Sequence, residues 1–179
     1  MKLKPPTKEN LELVRQWRND CLETLRTPFM LTEKQQEDFY DTLCSRTCVH
    51  RYYELWHDGK FIGLGGITNL QWENRCGEIS LILAPDARGR GLGKIAVAEL
   101  YRTAFDELNL NMVFGECYKC NPSYKFWEET TLNYWGTDTT LQQRKYWNGI
   151  YYDSLYFSVT KVLYEKSIQQ TGDQVSAGV

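Results

Sequence analysis

The sequence predicts an α/β (α+β) domain in which a β-hairpin leads into a strand, a glycine-rich loop and a helix, followed by a second strand-helix unit. Three observations carry this. Two apolar runs flank the turn His57-Asp58-Gly59, an apolar strand stops at Pro85 ahead of the run Arg88-Gly89-Arg90-Gly91-Leu92-Gly93-Lys94, and apolar residues then recur at helical spacing. At 179 residues the chain fits one domain with a substantial core, expected over residues 1–168, while the small polar residues of 169–179 suit a flexible tail.

Each element follows in order. Leu11 to Asp20 and Thr32 to Tyr40 read as helices separated by Pro28. Tyr53–Trp56 and Lys60–Ile67 read as strands, with Asp58-Gly59 the hairpin signal. Cys76 to Ala84 is a further strand ended by proline. A helix over Gly93–Leu108 has Ile95, Ala98, Tyr101, Phe105 and Leu108 as its apolar face. Asn111 to Tyr118 is a strand, and Asn121-Pro122 opens a short helix, proline being tolerated in a first turn. Strands near Leu132–Gln143 and Tyr151–Leu163 close the chain.

The glycine run sits where a helix N-terminus can hold an anion, because exposed amides and the helix dipole favour phosphate and glycine removes the Cβ atoms that would keep it away. Spacing eliminates two familiar loops. A P-loop needs Gly-x-x-x-x-Gly-Lys-Ser/Thr, but Arg88 stands at the first position and Ile95 follows Lys94. A dinucleotide fingerprint starting at Gly89 would need its third glycine where Lys94 stands. What fits is Arg/Gln-x-x-Gly-x-Gly/Ala, counted from Arg88 to Gly93.

That pattern resembles the pyrophosphate loop of the GNAT superfamily of acyl-CoA N-acyltransferases, and the element order agrees. The opening Trp17-Arg18-Asn19 and the late Tyr146-Trp147-Asn148-Gly149 with Tyr152-Asp153 are similar to the RimJ/RimL-like branch, so the resemblance spans about Pro6 to Lys161. It implies a GNAT fold: a central mixed, mostly antiparallel twisted sheet with splayed strands, flanked by helices. It implies acetyl-CoA as co-substrate and no metal. It places pantetheine and acetyl contacts on Leu81, Ile82 and Leu83, an oxyanion-binding N–H on that strand, the pyrophosphate on Arg88, Gly89, Arg90, Gly91, Leu92, Gly93 and Lys94, and a helix cap touching the pantetheine arm at Asn121.

Amide synthesis sets the remaining requirements. An alkylammonium with a pKa near 10.4 must lose a proton before attack. The resemblance places a carboxylate base at Glu116, five residues before Asn121, and, through the splayed strands it implies, makes Glu78 the second candidate; against both stands a carboxylate that faces solvent or pairs with arginine. In Asn121-Pro122-Ser123-Tyr124-Lys125-Phe126-Trp127-Glu128, Trp127 occupies the place of the family's proton-donating tyrosine. An indole donates a hydrogen bond but not a proton at neutral pH, so Tyr124, a bound water or release of a thiolate must substitute. Lys125 reads as a solvated helix position.

The acceptor groove implied by the resemblance would be bordered by Trp17, Arg18, Asn19, Phe29, Phe39, Tyr40, Trp72, Trp127, Trp135, Tyr146 and Trp147, although aromatic residues are more often core. A small-molecule primary amine of amino-sugar type is the leading acceptor. An acyl-CoA-binding module without turnover, and acetylation of a protein N-terminus or a nucleic-acid base, remain alternatives. A net charge of −2 argues against a broad nucleic-acid surface. No apolar run suits a membrane span and no signal peptide opens the chain, so a cytoplasmic setting is expected, with a homodimer left open. Six cysteines include the pairs Cys44/Cys48 and Cys117/Cys120, which read as small apolar side chains rather than a zinc site, and neither His50 nor His57 has a ligand cluster beside it.

Overall fold

The computed structural model describes the backbone of residues 1–176. Strand β1 (Lys2–Lys4) and helices α1 (Lys8–Asn19) and α2 (Glu33–Leu43) precede the hairpin β2 (Arg51–His57) and β3 (Lys60–Gln71). Then come β4 (Cys76–Leu83), α3 (Leu92–Arg102), β5 (Met112–Tyr118), α4 (Tyr124–Asn133), β6 (Thr137–Trp147), β7 (Ile150–Thr160) and α5 (Lys161–Ser176). The strands form one seven-stranded sheet in the order β1-β2-β3-β4-β5-β7-β6, antiparallel at every pair except β4 and β5. This is the mixed, mostly antiparallel sheet flanked by helices that the sequence implies.

Two hairpins form where local chemistry demands them. Asp58 and Gly59, like Asn148 and Gly149, both have positive φ, the combination a two-residue turn of the primed type requires and Asx-Gly tolerates. The parallel pair is different. β4 and β5 pair only from Cys76↔Met112 to Glu78↔Phe114, after which β4 stays with β3 and β5 stays with β7. The two strands therefore part at their C-terminal halves, opening a gap in the middle of the sheet.

Alternation assigns the two faces. Ile79, Val113, Leu155, Phe157 and Val159 pack against Val97, Leu100, Tyr101, Ala104 and Phe105 in the main core. On the opposite face Leu11 and Val14 of α1 pack on Leu64, with Ile82 beside them. The start of α1 is fastened to the sheet by Glu54, which is 2% exposed. Its carboxylate accepts from Thr7 N and Oγ1 at 2.8 and 2.6 Å and from Trp56 Nε1 at 2.8 Å. Burial pushes the Glu54 pKa up, but these donors outweigh it and leave it lowered. Helix α2 opens with a capping box between Thr32 and Gln35.

Some expectations need correcting. The buried stripe of α3 is Leu92, Ala96, Val97, Leu100 and Tyr101, whereas Ile95 is 42% exposed and Ala98 also faces out. The buried face is centred about one position earlier than the sequence suggests, so only Tyr101 and Phe105 of the expected face are fully buried. The helix passes into a π-turn over Thr103–Glu107, where Leu108 N–H donates to Thr103 O at 2.9 Å. The strand expected from Leu132 starts at Thr137, because α4 runs to Asn133, and β7 gives way at Lys161 to α5. That helix occupies 169–176 of the segment expected as a tail, and residues 177–179 lie outside the described residues. Among the described residues no helix is long and apolar enough to cross a membrane.

Candidate active site

The loop between β4 and α3 ends beside the gap. Gly89 and Gly91 have φ of 70° and 77°, and a Cβ built on either meets no heavy atom within 4 Å. Backbone torsion, rather than crowding, is thus what requires glycine at both. Gly91 is the N-cap of α3 and offers no side-chain cap, which leaves the first-turn amides to another acceptor. A Cβ at Gly93 would stand 3.2 Å from the Phe126 ring, so this glycine sets the approach of α4. Arg90 and Lys94 are exposed at the mouth, and Lys94 Nζ lies 3.9 Å from Glu129. Leu92 is buried among Ala87, Ala96 and Leu55.

The gap itself exposes backbone donors. Ala84 N–H donates to Ile62 O of β3 at 2.9 Å. Backbone groups alternate sides along a strand, so the amides of Leu83 and Leu81 point away from β3, into the space that β5 has vacated. Arg88 Nε donates to Leu83 O at 3.0 Å from that side. Leu81 and Leu83 turn their side chains into the apolar cluster under α3, while Ile82 packs on the α1 side.

On the α1 side of the gap lie the two carboxylates. Glu78 is the last β4 residue paired with β5, and its side chain is 12% exposed. It accepts from Arg26 Nη2 at 2.5 Å and from Asn69 Nδ2 at 2.7 Å. Glu116, 3% exposed in its side chain, accepts from Ser154 Oγ at 2.8 Å, Arg144 Nε at 3.0 Å and Arg26 Nη2 at 3.4 Å. Arg26 therefore bridges both base candidates, and its bond to Glu78 raises its own pKa. The ion-paired state weighed from sequence is the one present here, and the base role needs Arg26 to yield its place.

Helix α4 carries the other candidates. Asn121 does not cap it: its Oδ1 accepts from Ser123 N–H at 2.8 Å in a turn ahead of the helix, whose N-cap is Ser123. Tyr124 opens α4 and packs at the edge of the main core, and burial raises its phenol pKa, keeping it protonated at neutral pH as an acid must be. Trp127 stacks on Phe157 at 5.2 Å between centroids and meets Phe126 edge-on. It is a core side chain, on the sheet face opposite the carboxylates, rather than part of their groove.

Of the other groove candidates, Trp17 stacks on Phe61 at 5.6 Å, and Asn19 exchanges two hydrogen bonds with the Leu31 backbone at 2.8 and 3.0 Å. Asn19 thereby pins the segment carrying Arg26, and Phe29 lies exposed on that segment. Trp72 sits in the β3-β4 turn, beside Arg51, at the paired end of β4 and not at the gap. Four residues were missed from sequence: Arg26, Arg144, Ser154 and Lys145. Lys145 is 5% exposed, donates to Leu25 O and lies over the Tyr118 ring at 5.0 Å; burial lowers its pKa. Sequence alternation around Glu116 could have suggested Ser154, but Arg144 lies at a β-bulge that no local signal announces. Among the described residues no group of three or more His, Cys, Asp or Glu is arranged to hold a metal ion.

The model of the acetyltransferase (GNAT) family matches residues 11–131, more than half of the chain. No curated protein matches it. Among solved structures, a spermidine N-acetyltransferase from Vibrio cholerae in complex with CoA and spermine superposes with a TM-score of 0.79 at 18% identity, covering 91% of this chain and 96% of that one. A spermidine/spermine N-acetyltransferase from the same organism, crystallised with manganese ions, gives 0.76 at 19% identity, covering 92% and 95%. At such identities the likeness is one of fold.

Proposed function

Since the chain belongs to the acetyltransferase (GNAT) family, we propose that it moves an acetyl group from acetyl-CoA to the primary amine of a small molecule, by direct attack in a ternary complex, within the RimJ/RimL-like branch. The observation that carries this is the coincidence of the Gly89/Gly91 loop at the α3 N-terminus with the unpaired amides of Leu81 and Leu83 in the gap. Loop amides from Arg88 to Lys94 take the pyrophosphate, and the strand amides run along the pantetheine. One of these N–H groups faces the thioester oxygen, where negative charge grows as the amine attacks.

The amine arrives from the α1 side, where Glu116 or Glu78 takes its proton directly or through water, once the ammonium has replaced Arg26 between them. Tyr124 supplies the proton to the departing thiolate. A covalent relay through cysteine is disfavoured. Cys117, on the gap-lining strand β5, is 3% exposed, and burial pushes its pKa up to about 12, so it is not a thiolate at neutral pH. One catalytic domain over residues 1–168 suffices for this chemistry. The neighbours' named substrates, spermidine and spermine, support a small primary amine as acceptor, with an amino sugar retained as the leading type.

A second reading, an acyl-CoA-binding module without turnover, is favoured by one observation: both carboxylates are engaged by guanidiniums. Calorimetric titration with acetyl-CoA, combined with assay of free thiol across a panel of amines, separates the two. The transferase reading expects amine-dependent thiol release. Tight binding with no release for any amine would establish the module instead.

A further inference from the structure

Arg18 is the feature of the α1 side that this mechanism leaves unused. It lies in the last turn of α1, within the Trp17-Arg18-Asn19 run, and is partly buried. Its Nε is buried without a hydrogen-bond partner, and it forms no ion pair among the described residues. Buried donors are ordinarily satisfied, so an orphaned guanidinium nitrogen calls for an acceptor that the chain does not supply. Among the described residues the other two orphaned side-chain atoms, Tyr101 Oη and Thr103 Oγ1, belong to the closed core under α3.

The surroundings of Arg18 place it in the acceptor groove. Arg18 follows Leu11 and Val14 at helical spacing on the face of α1 that packs on the sheet, and Tyr52, packed on the same cluster, donates its hydroxyl to Ser80 Oγ at 3.3 Å, two residues along β4 from Glu78. Arg18 thus stands on the same side of the gap as the carboxylate pair. The charge there does not balance. Glu78 and Glu116 are already matched by Arg26 and Arg144, while Arg18 forms no ion pair among the described residues and the buried Lys145 donates to a carbonyl and lies over aromatic rings, with Glu23 its only nearby carboxylate influence. An ammonium that displaces Arg26 exchanges one cation for another and leaves that surplus in place. A polycation is poorly suited to such a site; an amine that brings its own anion is well suited.

We propose that Arg18 is an anion-binding subsite and that the acceptor is a primary amine bearing a carboxylate or a phosphate. A guanidinium suits either group, offering paired N–H donors to two oxygens. This inference rests on the transferase reading for its kinetic consequence, but its binding consequence stands apart.

The test compares wild type with Arg18→Gln and Arg18→Lys on matched acceptors. Glucosamine against glucosamine 6-phosphate reports a phosphate, ethanolamine against β-alanine reports a carboxylate, and spermidine is the polycation. In wild type the anionic member of at least one pair should have a kcat/KM about tenfold or more above its neutral partner. Arg18→Gln should erase that advantage through KM, raising it about tenfold or more for the anionic member and by less for its neutral partner, and Arg18→Lys should retain part of the advantage. Preference for spermidine or the neutral members, or equal losses for both members in Arg18→Gln, would overturn the subsite. Should no amine release thiol, the transferase reading fails on its own. Calorimetric binding of glucosamine 6-phosphate then decides: tighter binding to wild type than to Arg18→Gln upholds the subsite, and equal binding overturns it.

Discussion

Two glycines in matched conformations allow the cofactor loop to be tested against its own control. Gly91 and Gly59 share a φ of +77°, and a Cβ at either meets nothing within 4 Å. Gly91 opens α3 at the gap, whereas Gly59 lies in the β2-β3 hairpin. Alanine at each position should cost only the left-handed strain of an L-residue, about 1–2 kcal/mol. For a chain of this size that lowers Tm by roughly 2–8 °C, similarly for Gly91→Ala and Gly59→Ala in the ligand-free protein. CoA affinity should then separate them. The new methyl at Gly91 stands in the approach to the loop amides, so Gly91→Ala should weaken CoA by about tenfold or more, equivalent to about 1.4 kcal/mol, and Gly59→Ala should not. Circular-dichroism melts and calorimetric CoA titrations measure both quantities. Equal CoA affinity in the two variants would refute the assignment of the loop to the cofactor.

Other expectations concern the catalytic groups and the sheet anchor. Glu116→Gln should depress the rate at neutral pH and recover as pH approaches the amine pKa of about 10.4, visible in a pH-rate profile; an unchanged profile removes Glu116 as base. Tyr124→Phe should lower kcat by about a hundredfold while sparing CoA affinity, and a wild-type rate would return the proton-donor role to water or thiolate release. Glu54 has a folded pKa below its unfolded value, so its contribution is fully present above about pH 4.3 and is lost as pH falls through the lower, folded value. Urea unfolding should therefore show Glu54→Gln less stable by about 1–2 kcal/mol at pH 7, with the gap narrowing towards pH 3. A gap that persists undiminished at pH 3 would contradict that linkage.

Much of the fold was legible because its signals are local. Asp58-Gly59 and Asn148-Gly149 declare their turns through torsions that few other pairs adopt, and the glycine spacing from Arg88 to Gly93 marks the loop in the same way. The faces of α3 were less legible, since Ile95 and Ala98 satisfy helical spacing without satisfying the sheet beneath. The carboxylates were found through the family resemblance, yet their partners were not. Arg26 reaches Glu78 and Glu116 across 52 and 90 residues of chain, and Arg144 reaches Glu116 from a bulged strand. Only the folded sheet brings these charges together. Trp127 shows the converse: its motif position suggested chemistry, but its stacking on Phe157 assigns it to packing.

Direct transfer between two substrates held in one gap is the central claim, and initial-rate kinetics test it most directly. Acetyl-CoA is varied at several fixed concentrations of an accepted amine, with thiol release as the signal. Intersecting double-reciprocal lines, with no thiol released in the absence of amine, are expected for a ternary complex. Parallel lines, or a burst of thiol before amine is added, would show a covalent acetyl-enzyme and contradict the account.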